Sequence, residues 1–271
     1  MICLLITADD FGKNAQTNRA IEIGFKDGIL TSASLMVIGK KWREAVDIAH
    51  KRNMDVGLHL SLTEGKSICL GREINRSPAV LGLSAQFCQK TTAWIREEIA
   101  QQFQRFVSTG IPFHHVDSHH HIHVHPKVSG MVIERCRGYG IRSIRLPYEP
   151  WNISSSICND HLFRNIFYKI TFSSLCRMLA KKIHSSGLVS TDGVFGIYRT
   201  GEITEGWLLL LLDRLQKVDG IFELYIHPED RKGSPGYEEL KSITSQRVKD
   251  KIEDMGIRLL GFSDLSNIIH V

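Results

Sequence analysis

The sequence predicts an α/β fold closed as a (β/α) barrel, and three observations carry that expectation. Short apolar runs of strand character alternate along the chain with amphipathic segments of helical length, which is the pattern of βαβ units and a parallel sheet. About seven or eight such units in roughly 250 residues suit a barrel better than an open doubly wound sheet. Neither GxGxxG nor GxxxxGK[ST] follows a strand, so the usual motive for a nucleotide-binding sheet is missing.

The elements follow in order. Leu4, Leu5 and Ile6 open a buried strand that stops at Asp9-Asp10-Phe11-Gly12. Thr17 to Asp27 reads as a helix and Ala33 to Ile38 as a second strand. Lys41 to His50 is helical, with Trp42, Ala45, Val46 and Ala49 on its apolar side, and Val56 to Leu62 is a third strand. Residues 63 to 92, rich in Gly, Ser and Thr, read as a long loop. Thr92 to Val107 carries Trp94, Ile95, Ile99, Phe103 and Phe106 on one helical stripe. A strand then enters the histidine tract, followed by a helix from Pro126 to Tyr139 and the strand SIRLP. A longer helix spans about 160 to 185. Strands at GVFGI, IFELYI and IRLLGF are separated by helices near 204–217 and 237–254. No internal repeat or composition break divides the chain, so residues 1–271 read as a single domain.

Composition narrows the function classes. The chain is 42% apolar and 23% charged, ordinary for a globular protein. Its net charge of +5 is spread along the sequence rather than run into blocks, which argues against a nucleic-acid partner. Cys3, Cys69, Cys88, Cys136, Cys158 and Cys176 form no CxxC pair, so neither a zinc ribbon nor a small disulfide scaffold is expected. ICLLITADD follows Met1 without a basic leader, and WLLLLL at 207–212 is far short of the roughly 20 residues that span a bilayer. A cytoplasmic, soluble protein without a transmembrane segment is the expectation.

The polar clusters fall where such a barrel would use them. Asp9 and Asp10 follow the first strand, His59 lies in the third, and Asp117 and His119 end the strand before Pro126. Arg145 and Glu149 follow SIRLP, and His227 closes IFELYI. Strand ends of one sense converge on a single mouth. The tract HHVDSHHHIHVHP at 114–126 holds seven of the thirteen histidines. If its strand ends near Ser118, only the first histidine or two point into that mouth. Three or four ligands drawn from Asp and His suit a divalent ion with a position left for water, and the lack of cysteine nearby favours a catalytic over a structural ion. Taken singly, an Asp-Asp pair also suits a helix cap and His59 a hydrogen-bonded core histidine. The residues alone leave open a metal-dependent phosphoesterase, a glycosidase, or a non-catalytic metal- or sugar-binding protein.

TADDFG at 7–12, LTSASLMV at 30–37, VGLHLSLTEG at 56–65, HVDSHHHIHVHP at 115–126, RLPYEP at 145–150 and ELYIHPE at 223–229 resemble, in order, the motifs of the YdjC-like carbohydrate deacetylases. That family includes the chito-oligosaccharide deacetylases, and the sequence resembles most closely the branch associated with hopanoid biosynthesis, although its long histidine run leans towards the chito-oligosaccharide pattern. It implies an irregular (β/α) barrel of the glycoside hydrolase/deacetylase type. It also implies one divalent ion held by Asp10, His59 and His119, a donor set that suits magnesium or zinc, with manganese as a further candidate. Asp9 would be the base and His227 the acid in removing acetyl from an N-acetylated sugar, free or lipid-linked. Asp117, His121, His123, Arg145 and Glu149 are expected to support the site or contact substrate. The family's HPG reads HPED here, with Glu229 in the glycine's place, so a different turn is expected behind His227. The loop at 63–92 and the helical segment at 150–185, with Trp151, Phe163, Phe167, Tyr168 and Phe172, are where lipid or a second subunit of a homodimer would touch.

Overall fold

In a computed structural model, which describes residues 1–157 and 162–268, the chain folds as a curled parallel sheet wrapped by helices. The elements are β1 (Ile2–Phe11), α1 (Ala15–Asp27), β2 (Ser32–Leu35), α2 (Trp42–Arg52), β3 (Val56–Leu60), β4 (Glu64–Lys66), β5 (Glu73–Asn75), α3 (Pro78–Phe87) and α4 (Gln89–Val107). They continue with β6 (His115–Ser118), a 3₁₀ turn (His119–Val124), α5 (Pro126–Gly138), β7 (Ser143–Ile144), α6 (Trp151–Ser154), α7 (Leu162–Ser185) and β8 (Gly193–Phe195). The chain closes with α8 (Glu205–Leu215), β9 (Gly220–Ile226), α9 (Pro235–Thr244), α10 (Gln246–Asp254), β10 (Arg258–Leu259) and α11 (Phe262–Ile268).

The strand order β7-β6-β3-β2-β1-β9-β8 follows the chain round a ring, with β10 beside the start of β1. The ring is irregular between β7 and β8. There it is joined by Ile144 N–H to Val189 O at 3.1 Å, Val189 N–H to Arg142 O at 2.8 Å and Val194 N–H to Tyr148 O at 2.9 Å. β1 is central because both its faces are covered, as a near-continuous apolar strand requires. Leu4, Ile6 and Ala8 pack outward with the helices, whereas Cys3 and Leu5 pack with Leu260, Phe262 and Leu265 to plug one end.

Two expectations are corrected. Residues 63–92 are not a loop: they hold the β4–β5 hairpin, helix α3 and the start of α4. Strands this short carry too few residues for an alternation to register, and Pro78 at the first position of α3 marks a helix start that the surrounding Gly and Ser obscure. The helix expected at 237–254 is two, broken at Ser245, whose extended backbone (φ −62°, ψ 130°) frees its hydroxyl to accept from Val248 N–H and cap α10. Cys158 and the side chains of Phe163 and Phe167 lie outside the described residues. Among those described, no helix is long and apolar enough to cross a membrane.

Candidate metal centre

Simple strand alternation would send Asp9 and Asp10 to opposite faces of β1. The register of β1 against β2 shifts between Ala8 and Phe11, and Asp10 takes a left-handed backbone with φ +62°. Aspartate tolerates that conformation better than most residues, and such irregularities re-aim side chains beside sites. As a result both carboxylates line one cavity of about 480 Å³. The turn is completed by Gly12 at φ +93°, where an added Cβ would lie 2.9 Å from the Trp42 Cα. The histidine tract makes a similar departure. β6 ends at Ser118, and left-handed His120 (φ 55°) and His121 (φ 51°) fold the next residues into a turn, so His119, His120 and His121 all reach the same cavity.

At its floor, Asp10 Oδ1 lies 2.9 Å from His119 Nδ1 and 3.3 Å from His59 Nε2. The opposite nitrogens are held by carboxylates: His59 Nδ1 by Asp117 Oδ1 at 2.8 Å and His119 Nε2 by Glu64 Oε2 at 3.0 Å. An ionised carboxylate only accepts, so these ring atoms carry hydrogens; the other two nitrogens face Asp10, where they hold protons in the absence of a cation and would turn lone pairs to one that is bound. Asp10 Oδ1 and His59 Nε2 are buried without a hydrogen bond. One atom each from Asp10, His59 and His119 lies within 4.8 Å of the others. Three electron-pair donors facing one point need protons or a cation between them, and this set suits a divalent ion.

Without a cation, protons fill that role. Burial alone would raise Asp10, but His119 and His59 outweigh it and hold its carboxyl well below the usual range. Burial alone would depress His59, yet the charges of Asp117 and Asp9 push it up to about 10. His119 is likewise raised against its burial, by Asp10 and Glu64. Four of its neighbours go the other way: burial takes His120 and His123 down to about 4 and lowers His121 and His125. Of these histidines only His119 faces paired acids, which singles it out within a run of identical side chains.

Below the cavity lies a charged layer. The wholly buried Arg145 guanidinium clamps Asp9 through two bonds of 2.7 and 2.8 Å and reaches Asp117 at 2.7 Å and Glu223 at 2.7 Å. Its face rests on the Tyr225 ring, 5.0 Å from the centroid. A second acidic group, Asp9, His59 and Asp117, also has ligand-like spacing. Arg145 and the Asp117–His59 bond already satisfy it, so the Asp10 group is the better cation site.

The remaining expected residues separate. His227 lines the cavity on β9's end, with its backbone N–H donating to Glu239 Oε2 at 2.5 Å, and burial lowers its pKa. His121 lines it too, 3.3 Å from the Tyr225 hydroxyl. His123 is buried behind, between Ser118 Oγ and the Arg145 carbonyl at 2.9 Å. Arg145 and Asp117 support from below rather than from the cavity wall. Glu149 is buried against Ser154 and Tyr198 N–H beside an adjoining groove of about 670 Å³, which shares Tyr168, Phe172 and Ile197 with the cavity. Sequence reasoning passed over Lys13, Glu64, Glu223 and Tyr225. The last two were legible, because Glu223, Tyr225 and His227 alternate along one face of IFELYIH.

A parallel barrel that gathers buried carboxylates and imidazoles at the C-terminal ends of its strands belongs to the broad class of barrel enzymes with a metal-ready mouth. The chain belongs to the YdjC-like protein family, whose family model matches residues 3–254. It is 27% identical over 274 residues to a carbohydrate deacetylase of Clostridium beijerinckii, covering 97% of this chain and 99% of that protein. It is 27% identical over 279 residues to a chitooligosaccharide deacetylase of Proteus mirabilis, covering 97% and 98%. In fold it matches a crystal structure of a proposed cellobiose-phosphate cleavage protein from Enterococcus faecalis, with TM-score 0.69, 22% identity, and 97% and 98% of the two chains covered.

Proposed function

We propose that the protein, an enzyme of the carbohydrate-deacetylase class, hydrolyses the acetamide of an N-acetylated amino sugar, with Asp10, His59 and His119 holding one divalent ion. The observation that carries this reading is the set of potential ligand atoms converging at Asp10 Oδ1, beside a second carboxylate in one cavity. Magnesium, zinc or manganese bound there would acidify a water and polarise the acetyl carbonyl. Asp9 takes the proton as the water oxygen attacks the carbonyl carbon. The two-bond clamp from Arg145 holds its carboxylate in one orientation while that happens. As the C–N bond breaks, His227 delivers a proton to the leaving amine, and acetate departs. Burial makes the His227 imidazolium a readier donor than a free one.

The adjoining groove supports a substrate longer than one sugar. Trp151, Tyr168 and Phe172 offer flat or apolar faces there, suited to a further sugar ring of a chito-oligosaccharide or to the apolar part of a glycosylated hopanoid. The test is acetate release by metal-stripped protein with and without restored metal, on N-acetylglucosamine, chito-oligosaccharides and a hopanoid glycoside. Asp9→Asn should bind metal as wild type does and lose about 100- to 10 000-fold in turnover. Full metal-dependent turnover by that variant would remove Asp9 from the mechanism.

A further inference from the structure

We infer that Glu64, on the β4–β5 hairpin, is a positioning residue of the metal centre that holds the His119 ring so that Nδ1 is presented beside Asp10 Oδ1. This rests on the reading of Asp10, His59 and His119 as the ligand set. The geometry is a repeated construction. His59 is held through Nδ1 by Asp117 and turns Nε2 to Asp10; His119 is held through Nε2 by Glu64 and turns Nδ1 to Asp10. Carboxylates in this position fix ring tautomer and angle and raise the basicity of the ligating nitrogen.

The two supports differ in origin. Asp117 sits in β6, beside His59 in register, and is wholly buried. Glu64 comes from a separate two-stranded sheet and is only half-buried. Its backbone is nonetheless anchored to the barrel rim: Ser61 Oγ donates to Glu64 O at 2.6 Å, and Lys66 N–H donates to Ile38 O at 3.1 Å. Lys13 closes the network, with Nζ 3.1 Å from Asp10 Oδ2 and 3.2 Å from Glu64 Oε2. It occupies one oxygen of each carboxylate and leaves Asp10 Oδ1 to the ligand cluster. The hairpin therefore governs how tightly the centre holds its ion, although it supplies no ligand.

Calorimetric titration of metal-stripped protein with Zn²⁺ tests this. Glu64→Ala should weaken Zn²⁺ binding about 10- to 100-fold. Glu64→Gln, whose amide oxygen still accepts from Nε2–H, should recover most of it, and Lys13→Met should stay near wild type. Wild-type affinity in Glu64→Ala overturns the inference. So does a Glu64→Gln as weak as Glu64→Ala, which would make the carboxylate itself a ligand, or a Lys13→Met that reproduces the loss. Asp10→Asn separates the two claims: if it binds Zn²⁺ as tightly as wild type, the ligand set is wrong whatever Glu64 does. Nitrogen NMR of the zinc-loaded wild type needs no variant. It should show His119 protonated at Nε2, and a bare Nε2 refutes the inference.

Discussion

Replacing Arg145 with methionine isolates the physics of the buried layer. The guanidinium is the counter-charge for Asp9, Asp117 and Glu223, all within 2.7 Å of it and all out of water. Methionine fills similar space and removes the charge and every donor. Breaking a single buried pair by removing one partner costs about 3–5 kcal/mol. Three carboxylates lose their cation here, so at least about 3 kcal/mol is expected, out of a total folding stability of about 5–15 kcal/mol. The sign with pH follows from the acids left behind. Burial alone raises Asp117, and Arg145 is the largest of the charges that bring it well below its usual range. Without that charge its folded pKa rises, so its contribution present at neutral pH is lost and protonation relieves the strain as pH falls. Urea unfolding of wild type and Arg145→Met at pH 7.5 and 5.5 should therefore show the larger gap at 7.5. Arg145→Lys should regain part of the stability but lose the two-bond clamp on Asp9, and turnover with it. A loss under about 1 kcal/mol at pH 7.5 with an unchanged denaturant slope would refute the reasoning.

Two more consequences are measurable. Burial lifts Glu149 from 4.5 to about 7, so folded protein keeps a proton that unfolded chain gives up, and stability drains away as pH climbs between those values. Relative to wild type, Glu149→Gln should gain about 2–3 kcal/mol between pH 5 and 8 in urea unfolding, and a pH-independent difference would contradict the assignment. His59, held protonated to about pH 10, must surrender its proton for a metal to take Nε2. Zn²⁺ titrations at pH 7.5 in buffers of different ionisation heat should show at least one proton released, and identical heats would count against His59 as a ligand.

Outside residues 63–92 and the break at Ser245, the alternation of strands and helices round a curled parallel sheet was determined by the sequence itself, because periodicity and strand-helix alternation are local properties written residue by residue. Most of the site's cast was legible for the same reason: ADDFG, GLH, DSHHH and the late HP all sit at strand ends that a barrel makes neighbours. Local pattern does not carry the irregularities. A register shift and a positive φ at Asp10 turned both aspartates to one cavity, where alternation would have parted them. A left-handed pair in the tract chose His119 over its identical neighbours by setting it between Asp10 and Glu64. Arg145 became a shared buried counter-ion, and Glu64 emerged from a stretch too short in each strand to show a period. Each of these outcomes depends on which distant charge ends up within about 3 Å, where electrostatic energies are largest, and only packing decides that.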